Sequence, residues 1–299
     1  MNYEHCKIFY CVGKHKNITK AANELYSSQP AVSRAIMSLE NELGCRLFIR
    51  NKNGVEFTHE GQTLFGYASI AYTQLLKAEE EVSRSVSPES GTIYIGATIT
   101  ALYGYLFDLL DDFHLKHPKV KFKITTGSSD KTIGNLKNGF VDLSFVTTPF
   151  NMSKELSVIR IKKFNDILIA GERFSFLKGK TIALAELKKY PFICLEKGMQ
   201  LRQFIDAIFM KKEIDITPDI EPDSADLIVP MAAHNFGLGF VPQGIAENAI
   251  EKGEVFRVHL EEELPPRYVC LVMSPNHPQT SASANKFTAA GARRERVTI

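Results

Sequence analysis

The sequence predicts two domains of different classes: a small, mainly helical domain at the N-terminus and a larger α/β domain at the C-terminus. Three observations support this prediction. Two short amphipathic helices with a polar break between them fit residues 19–50. An apolar pattern at heptad spacing continues through residues 59–87 and predicts one long helix. Beyond residue 91, strand-like and helix-like runs alternate, as in a sheet covered by helices.

Length and charge agree with this division. The chain has 299 residues, 44% of them hydrophobic, which is enough for one core of a small domain and one of a larger domain. The formal net charge is +2, whereas residues 1–58 alone carry eight Lys and Arg against five Glu, a net charge of +3. This local excess of positive charge is weak support for a nucleic-acid partner.

The helix pair has recognisable start and stop signals. The first helix is predicted over residues 19–26, with the Thr19 hydroxyl as its N-cap. After a break at residues 27–28, Pro30 suits the first turn of a second helix, because its missing N–H costs little there. Gly44 is expected to end that helix. Its apolar stripe, at spacings of four, three and four, consists of Val32, Ile36, Leu39 and Leu43.

The other face of the second helix carries groups that hydrogen-bond nucleic acids, namely Gln29, Ser33, Arg34 and Ser38. Arginine suits guanine, glutamine suits adenine, and serine suits either. A strand, a turn and a second strand are predicted over residues 47–58, which places Arg50 and Lys52 to contact phosphates. The alternative is an ordinary pair of helices in an α-helical domain, which the apolar stripe alone does not exclude.

Across about sixty residues, the N-terminal segment resembles the LysR-type transcriptional regulators almost without gaps. The resemblance rests on Phe9, Val12, Asn17-Ile18-Thr19, Ala21-Ala22, Leu25, Ser28-Gln29-Pro30-Ala31-Val32-Ser33, Ile36, Leu39-Glu40, Leu43-Gly44, Leu47-Phe48, Arg50, Thr58 and Gly61. It implies a bacterial, cytoplasmic regulator with a winged helix-turn-helix, of which the helix-turn-helix spans about residues 18–37. Double-stranded promoter DNA is the expected partner, and RNA polymerase is a further candidate. The expected DNA-binding residues are Thr19, Ser28, Gln29, Pro30, Ser33, Arg34, Ser38, Arg50, Lys52 and Asn53.

We assign residues 1–58 to the DNA-binding domain and residues 59–88 to a linker helix. The apolar seam of that helix consists of Leu64, Ala68, Ala71, Leu75, Ala78 and Val82. A solvated single helix does not need such a seam, and a core helix usually has a wider apolar face. The seam therefore predicts a homodimer, with a purely intramolecular role as the alternative. The family resemblance implies a dimer of dimers.

Residues 89–299 are predicted to form an α/β regulatory domain. Strands are expected at residues 92–97, 120–126, 143–146, 167–170, 181–183, 192–195, 239–241 and 268–273, and helices at residues 102–114, 132–138, 201–211, 225–233 and 281–290. The first βαβαβ run argues for a mostly parallel sheet. Residues 117–146 and 237–242 also resemble the family's effector domain, which is similar to periplasmic binding proteins. This implies two subdomains, one of residues 89–161 and 266–299, the other of residues 162–265.

Hydroxyl groups follow three of the predicted strands, and in open α/β sheets ligands bind at these carboxyl ends. The hydroxyls belong to Thr98, Thr100, Ser128, Ser129, Thr147 and Thr148. Together with the free amides of helix N-termini, they favour an anionic small-molecule effector in a cleft between the subdomains. From the second subdomain, Glu196, Lys197 and Arg202 are expected to line the other wall. Simple helix capping is the alternative role for each hydroxyl.

Enzyme motifs are missing from the sequence, which has no Walker loop, HExxH, GxSxG or paired metal-ligand spacing. His114 and His117 are three residues apart, but Pro118 disfavours helix at His117. We therefore expect no catalysis, no metal and no cofactor beyond the effector. A binding protein without DNA activity is the remaining alternative, and it leaves the first sixty residues unexplained.

Five scattered cysteines, none in a CxxC pair, occur at Cys6, Cys11, Cys45, Cys194 and Cys270. Reduced thiols in a cytosol are the simplest interpretation. A redox switch is the alternative, and only the last two lie in the expected sensor region. We expect no secretory signal and no membrane segment. The longest uncharged run, residues 227–246, contains Pro and Gly and suits a helix, a turn and a buried strand.

Overall fold

The computed structural model describes residues 2–52, 54–84, 91–152, 155–275 and 282–294. The chain divides into two compact units, Met1–Val86 and Ser87–Ile299. In the part of the chain that is described, no helix has the length and apolar character needed to cross a membrane.

The first unit consists of four helices and a two-stranded antiparallel wing: α1 (Tyr3–His15), α2 (Ile18–Glu24), α3 (Gln29–Leu43), β1 (Phe48–Asn51), β2 (Gly54–Phe57) and α4 (His59–Arg84). The predicted N-cap of α2 was wrong. Asn17 caps this helix, because its side chain accepts a hydrogen bond of 3.0 Å from the Lys20 amide, and Thr19 lies inside the helix. Ser28 caps α3. Gly44 ends this helix, as predicted, and has a left-handed φ of 71°.

One apolar core joins the helices of the first unit to the wing. Phe9 of α1 is fully buried, and its ring centroid lies 5.2 to 6.4 Å from those of Phe48, Phe57 and Phe65. Three residues of the predicted α3 stripe are buried in this core, whereas Leu43 at the helix end is 43% exposed. The core therefore holds α3 by one face and leaves the opposite face free.

The first half of α4 packs on α1 of the same chain. Leu64, Ala68 and Tyr72 join the core, and the ring of Tyr10 stacks on Phe65 with centroids 6.0 Å apart. The predicted seam therefore has two parts. Its first two positions, Leu64 and Ala68, pack in the core of the first unit. Its other four positions are exposed: Ala71, Leu75, Ala78 and Val82.

The second unit contains two five-stranded sheets, each with its own apolar core. The first sheet is formed by β3 (Gly91–Ala97), β4 (Val120–Thr126), β5 (Leu143–Thr147), β6 (Ser157–Phe164) and β12 (Arg267–Met273), in the order β4-β3-β5-β12-β6. The second sheet is formed by β7 (Asp166–Ala170), β8 (Thr181–Ile182), β9 (Phe192–Ile193), β10 (Leu238–Pro242) and β11 (Phe256–Leu260), in the order β8-β11-β7-β10-β9.

The helices of the second unit begin with one continuous segment made of α5 (Ile99–Ala101), a π-helical turn (Leu102–Leu106) and α6 (Phe107–Lys116). The others are α7 (Ser129–Lys137), α8 (Gln200–Lys211), α9 (Ile228–Ala233), α10 (Gln243–Glu251) and α11 (Ala282–Arg294), with 3-10 turns at Glu172–Leu177, Leu184–Lys189 and Ala225–Leu227. Three neighbouring strands of the first sheet, β4, β3 and β5, are parallel as predicted, but β12 joins antiparallel to both its neighbours. Both sheets are therefore mixed.

The chain passes between the two sheets twice, at Asn165 and at residues 261–266. We call the part with the first sheet subdomain I and the part with the second sheet subdomain II. Residues 162–164, which the sequence assigned to subdomain II, pair with β12 and belong to the first sheet. These residues belong to strand β6, which was not predicted. It lies at a sheet edge, and its basic residues interrupt the alternation of apolar and polar residues that indicates a strand.

Candidate functional sites

The predicted DNA-binding face of α3 is open to solvent. Gln29, Pro30, Arg34 and Ser38 are exposed, and Ser33 is half-buried. Because the buried stripe of α3 lies on the other side, these polar groups point away from the core of the first unit. The exposed face of a helix held in this way is available to enter a groove of DNA.

The wing lies beside this face. Arg50 of β1 donates a hydrogen bond of 3.3 Å from Nη2 to the hydroxyl of Ser33, which is also 3.5 Å from the amide nitrogen of Gln29. Lys52 is exposed at the turn of the wing, and Asn53 lies outside the described residues. We call Gln29, Ser33, Arg34, Ser38, Arg50 and Lys52 the recognition surface.

A buried carboxylate, which the sequence reasoning missed, attaches the wing to α3. Glu40 is only 6% exposed and accepts hydrogen bonds from the amides of Leu47, at 2.8 Å, and Phe48, at 3.2 Å. Its other oxygen accepts a bond of 3.0 Å from Arg46. A buried charge is tolerated only with such partners. The position of Glu40, beside the buried stripe of α3, was the signal that the sequence offered.

A cleft of about 360 Å³ lies between subdomains I and II. Five of the six predicted hydroxyl residues line it: Thr98, Thr100, Ser128, Ser129 and Thr147. The cleft also contains charged and polar residues that the sequence did not indicate, among them Gln200, Asp223, Asp226 and Arg267. The structure thus brings together four segments of subdomain I, residues 98–100, 126–129, 147 and 267, and two of subdomain II, residues 195–201 and 223–226.

Two of the hydroxyls cap the helices that begin at the cleft. Thr98 accepts a hydrogen bond of 3.2 Å from the Ala101 amide at the start of α5, and Ser128 accepts one of 3.3 Å from the Lys131 amide at the start of α7. Both residues therefore cap helices, which was the alternative to ligand binding, and both also line the cleft. The first turn of each helix directs its remaining N–H groups towards this end.

The other hydroxyls differ in their bonding. Ser129 is buried and donates a hydrogen bond of 3.2 Å to the carbonyl of Thr147. Thr100 is only 8% exposed and lines the cleft, yet its hydroxyl makes no hydrogen bond with any other described residue. A buried hydroxyl of this kind is free to bond with a molecule in the cleft.

Four predicted residues are not among the described residues that line the cleft. Thr148 faces β12 instead, where its hydroxyl accepts a hydrogen bond of 2.9 Å from the Tyr268 amide. Glu196 and Lys197 are exposed in the loop before α8. The sequence placed Glu196 and Lys197 next to a buried strand, but an exposed loop turns them away from the cleft.

Arg202 is the clearest departure from the prediction. It is 5% exposed and donates hydrogen bonds to Asp206, at 2.8 and 2.9 Å, to the Leu195 carbonyl, at 2.9 Å, and to Glu221. Two carboxylates and a carbonyl hold the guanidinium inside subdomain II. This side chain therefore has a structural role.

Arg267, at the start of β12, is the buried cation of the cleft. Its Nη1 lies 3.1 Å from both oxygens of Asp166, Nε donates to the Thr148 carbonyl at 2.6 Å, and Nη2 donates to the Thr147 hydroxyl at 3.3 Å. Burial raises the pKa of Asp166, and attraction to Arg267 opposes that rise. Asp166 begins β7, so this ion pair joins the two points where the chain passes between the sheets.

A second contact links the subdomains. The side chain of Gln200, at the start of α8, donates a hydrogen bond of 2.8 Å to Asp130 of α7. Gln200 is 8% exposed and lines the cleft. The bond joins a residue of subdomain II to one of subdomain I, so the conformation described has the subdomains in contact.

The two cysteines of the second unit are poorly suited to redox chemistry. Burial raises the pKa of the Cys194 thiol to about 12 and that of Cys270 to about 11. Both thiols are therefore protonated near neutral pH, and the thiolate is the reactive form. This argues against the redox alternative.

Two family profiles match the chain. Residues 3–62 match the "Bacterial regulatory helix-turn-helix protein, lysR family", and residues 87–290 match the "LysR substrate binding domain". The chain belongs to the LysR family of transcriptional regulators. Members of this family are DNA-binding regulators and not enzymes.

Individual relatives span nearly the whole chain. The transcriptional activator IlvY of Haemophilus influenzae is 27% identical over 272 residues, which cover 89% of this chain and 91% of IlvY. The crystal structure of CbnR, a LysR family regulator, is similar with a TM-score of 0.79 at 19% identity and covers 99% of this chain and 100% of CbnR. CbnR in complex with its target DNA gives a TM-score of 0.78 at 19% identity, covering 98% and 100%.

The second unit also resembles an isolated domain. The effector binding domain of QuiR, in complex with shikimate, has a TM-score of 0.61 at 19% identity and covers 69% of this chain and 97% of that domain. The fold predicted from the sequence, a helix-turn-helix unit followed by a two-subdomain α/β unit, is thereby confirmed.

Proposed function

We propose that this LysR-type regulator binds a specific promoter site through the recognition surface and that a small anionic effector in the cleft modulates its activity. The observation that carries the proposal is the exposed polar face of α3, with Arg50 of the wing bonded beside it. Arg34 and Gln29 would pair with base edges, whereas Arg50 and Lys52 would contact phosphates. The complex of CbnR with its target DNA supports a DNA partner. Promoter DNA of a bacterium lies in the cytoplasm, where we expect the protein to act.

A homodimer through α4 is part of the proposal. The exposed half of the seam, which contains Ala71, Leu75, Ala78 and Val82, supports it, since four apolar positions at spacings of four, three and four face solvent. Such a dimer would place two recognition helices in successive major grooves. The family resemblance supports a further dimer of dimers and contacts with RNA polymerase.

The dimer is tested by placing a charge in the seam. Ala71→Glu should weaken dimerisation, because two like charges would then face each other across the interface. Gln62→Glu, on an exposed position of α4 away from the seam, is the matched control. Sedimentation of the full-length protein should show lighter particles for the first variant only. An unchanged mass for Ala71→Glu would contradict the assignment.

The effector is expected to place its anionic group at the first turns of α5 and α7. Hydroxyls, unpaired amides and the positive ends of the two helices support this. Shikimate, the ligand of QuiR, carries such a group on a small ring and supports the effector's class. Bound in the cleft, an effector would change the angle between the subdomains. It can do so only by its difference in affinity for the two states.

A salt titration tests the DNA-binding proposal. Binding of the full-length protein is measured on the DNA upstream of its own coding sequence and on random DNA of equal length. We expect tighter binding to the upstream DNA at every salt concentration, and a fall in both affinities with increasing salt as counterions are released. Equal affinities at all concentrations would argue against a specific regulator.

A further inference from the structure

The two subdomains contribute side chains of different charge to the cleft, and we call these two sets of side chains the first and second walls. Among the described lining residues, subdomain I contributes six hydroxyls and one arginine and no carboxylate. Subdomain II contributes two carboxylates, Asp223 and Asp226, on either side of Ser224, and no lysine or arginine. An anion that fits the first wall therefore faces negative charge on the second wall.

The arginine of the first wall does not balance this charge. Arg267 already has both oxygens of the buried Asp166 at 3.1 Å, so that its positive charge is matched within the protein. Two more of its N–H groups bond to Thr148 and Thr147. Asp226 accepts a hydrogen bond from the neutral hydroxyl of Ser224, and Asp223 has no ion-pair partner among the described residues. Asp223 and Asp226, both exposed at the cleft, therefore carry two negative charges that are not paired with a cation among the described residues.

We propose that the ligand of the cleft is a small zwitterion, with an anionic group at the starts of α5 and α7 and an ammonium group at Asp223 and Asp226. This inference rests on the proposed function, because it concerns the same cleft, and it adds the second charge. Ammonium donates hydrogen bonds that carboxylates accept, and such charge-assisted bonds are stronger than neutral ones.

Thr100 gives separate support for the position of the ligand's anionic group. This residue is 8% exposed, lines the cleft and makes no hydrogen bond with other described residues. Its hydroxyl lies in the first turn of α5, where helix geometry leaves N–H groups unpaired. A carboxylate or phosphate at this point would accept from both kinds of donor.

The size of the cleft favours a short molecule. Its volume of about 360 Å³ is near the lower end for small-molecule sites. The turn Ala225–Leu227, which contains Asp226 and begins two residues after Asp223, is in contact with α5. The two charged groups of the ligand are therefore a few bonds apart, as in an α-amino acid. Leu195, Met199 and Leu201 provide apolar surface for its side chain.

The test uses the full-length protein and matched compounds. Binding of the common α-amino acids is measured by calorimetry beside the 2-hydroxy acids, the unsubstituted carboxylic acids and the primary amines with the same side chains. We expect at least one amino acid to bind, with an affinity about tenfold or more above that of each matched compound, since a charge-assisted bond is lost in each case.

Two double variants test whether the second wall causes the preference for an amino acid over the matched hydroxy acid. In Asp223→Asn/Asp226→Asn, the advantage of the amino acid over the hydroxy acid should disappear. Asp215→Asn/Glu251→Gln removes the same charge from exposed positions of subdomain II that do not line this cleft, and should keep the advantage. Equal melting temperatures of the free proteins would show that both variants fold.

Three results would overturn the inference: tighter binding of a hydroxy acid or simple acid, binding of no amino acid, or an undiminished preference in the aspartate variant. A different result would be that a simple acid binds and that Thr100→Val abolishes this binding. That result would support the proposed effector site and contradict only the zwitterion. The proposed function itself is decided separately, by specific DNA binding of the same preparation.

Discussion

The recognition surface and the cleft hold their polar groups in different ways. Arg34 and Ser38 of α3 are exposed, and their side chains make no hydrogen bond with another described residue. In the cleft, Arg267 and Gln200 are buried and bonded to carboxylates. Side chains that pair with DNA are free to adjust in solvent until DNA arrives, whereas a ligand site gains affinity when its groups are already ordered. We therefore expect changes at the buried ion pair of the cleft to alter stability, whereas changes at the exposed residues of the recognition surface should alter only affinity.

The largest expected effect follows from breaking the ion pair of the cleft. Asp166→Asn should lower the free energy of unfolding of the second unit by about 3–5 kcal/mol, because it leaves the Arg267 charge buried and unpaired. Chemical denaturation of the full-length protein measures this. Glu172→Gln, which breaks an exposed pair with Lys178, is the control and should have a much smaller effect. A stability loss as small as that of the control would mean that the ion pair does not anchor the cleft.

The second prediction concerns specific DNA affinity. Arg34→Ala should weaken binding to the specific site by about 1–3 kcal/mol if the guanidinium pairs with a base. Binding to random DNA and the unfolding free energy should stay near those of the unchanged protein, because Arg34 is exposed and contributes nothing to the core. Fluorescence anisotropy on both DNAs measures the difference. An equal loss on both DNAs would move Arg34 from base recognition to phosphate contact.

A smaller effect is expected at the tip of the wing. Lys52→Ala should reduce the slope of the logarithm of affinity against the logarithm of salt concentration by about 1, because one phosphate contact is lost. The loss should be the same for specific and random DNA. A slope equal to that of the unchanged protein would show that Lys52 does not reach the DNA backbone.

The smallest effect is expected from oxidation or alkylation. The raised pKa values of Cys194, to about 12, and Cys270, to about 11, keep both thiols protonated up to alkaline pH. In the folded protein, both should therefore react with iodoacetamide far more slowly than the half-buried Cys45. Mass spectrometry of tryptic peptides gives the order of modification. Rapid labelling of Cys194 or Cys270 at neutral pH would reopen the redox alternative.

The same two regions show which features a sequence reveals. Caps and turns depend on neighbours in the chain, so the break at residues 27–28 and the helix end at Gly44 were predicted. The error at Thr19 arose because Asn17, an equally good cap, stands two residues earlier. The hydroxyls of the cleft follow strands directly and were also found. Arg267 and Asp166 are 101 residues apart, so no local pattern indicates their contact.

Arg202 was predicted to contact the ligand, and this prediction was wrong. A cation near a predicted cleft looked like a ligand contact, but Asp206, one helical turn away, and Glu221 on a distant segment take up its charge. The divided seam of α4 has a similar cause, since helical spacing alone does not distinguish a face that packs on α1 from one that meets another chain. In both cases one deciding partner, Glu221 for Arg202 and α1 for α4, is remote in sequence.

Specific recognition through α3 can be tested by footprinting the full-length protein on the DNA upstream of its own coding sequence. We expect two protected half-sites whose centres are about 10–10.5 base pairs apart, or a multiple of this spacing, and their loss in Arg34→Ala. Protection that is uniform along the DNA, or that is unchanged in the variant, would contradict specific recognition through α3.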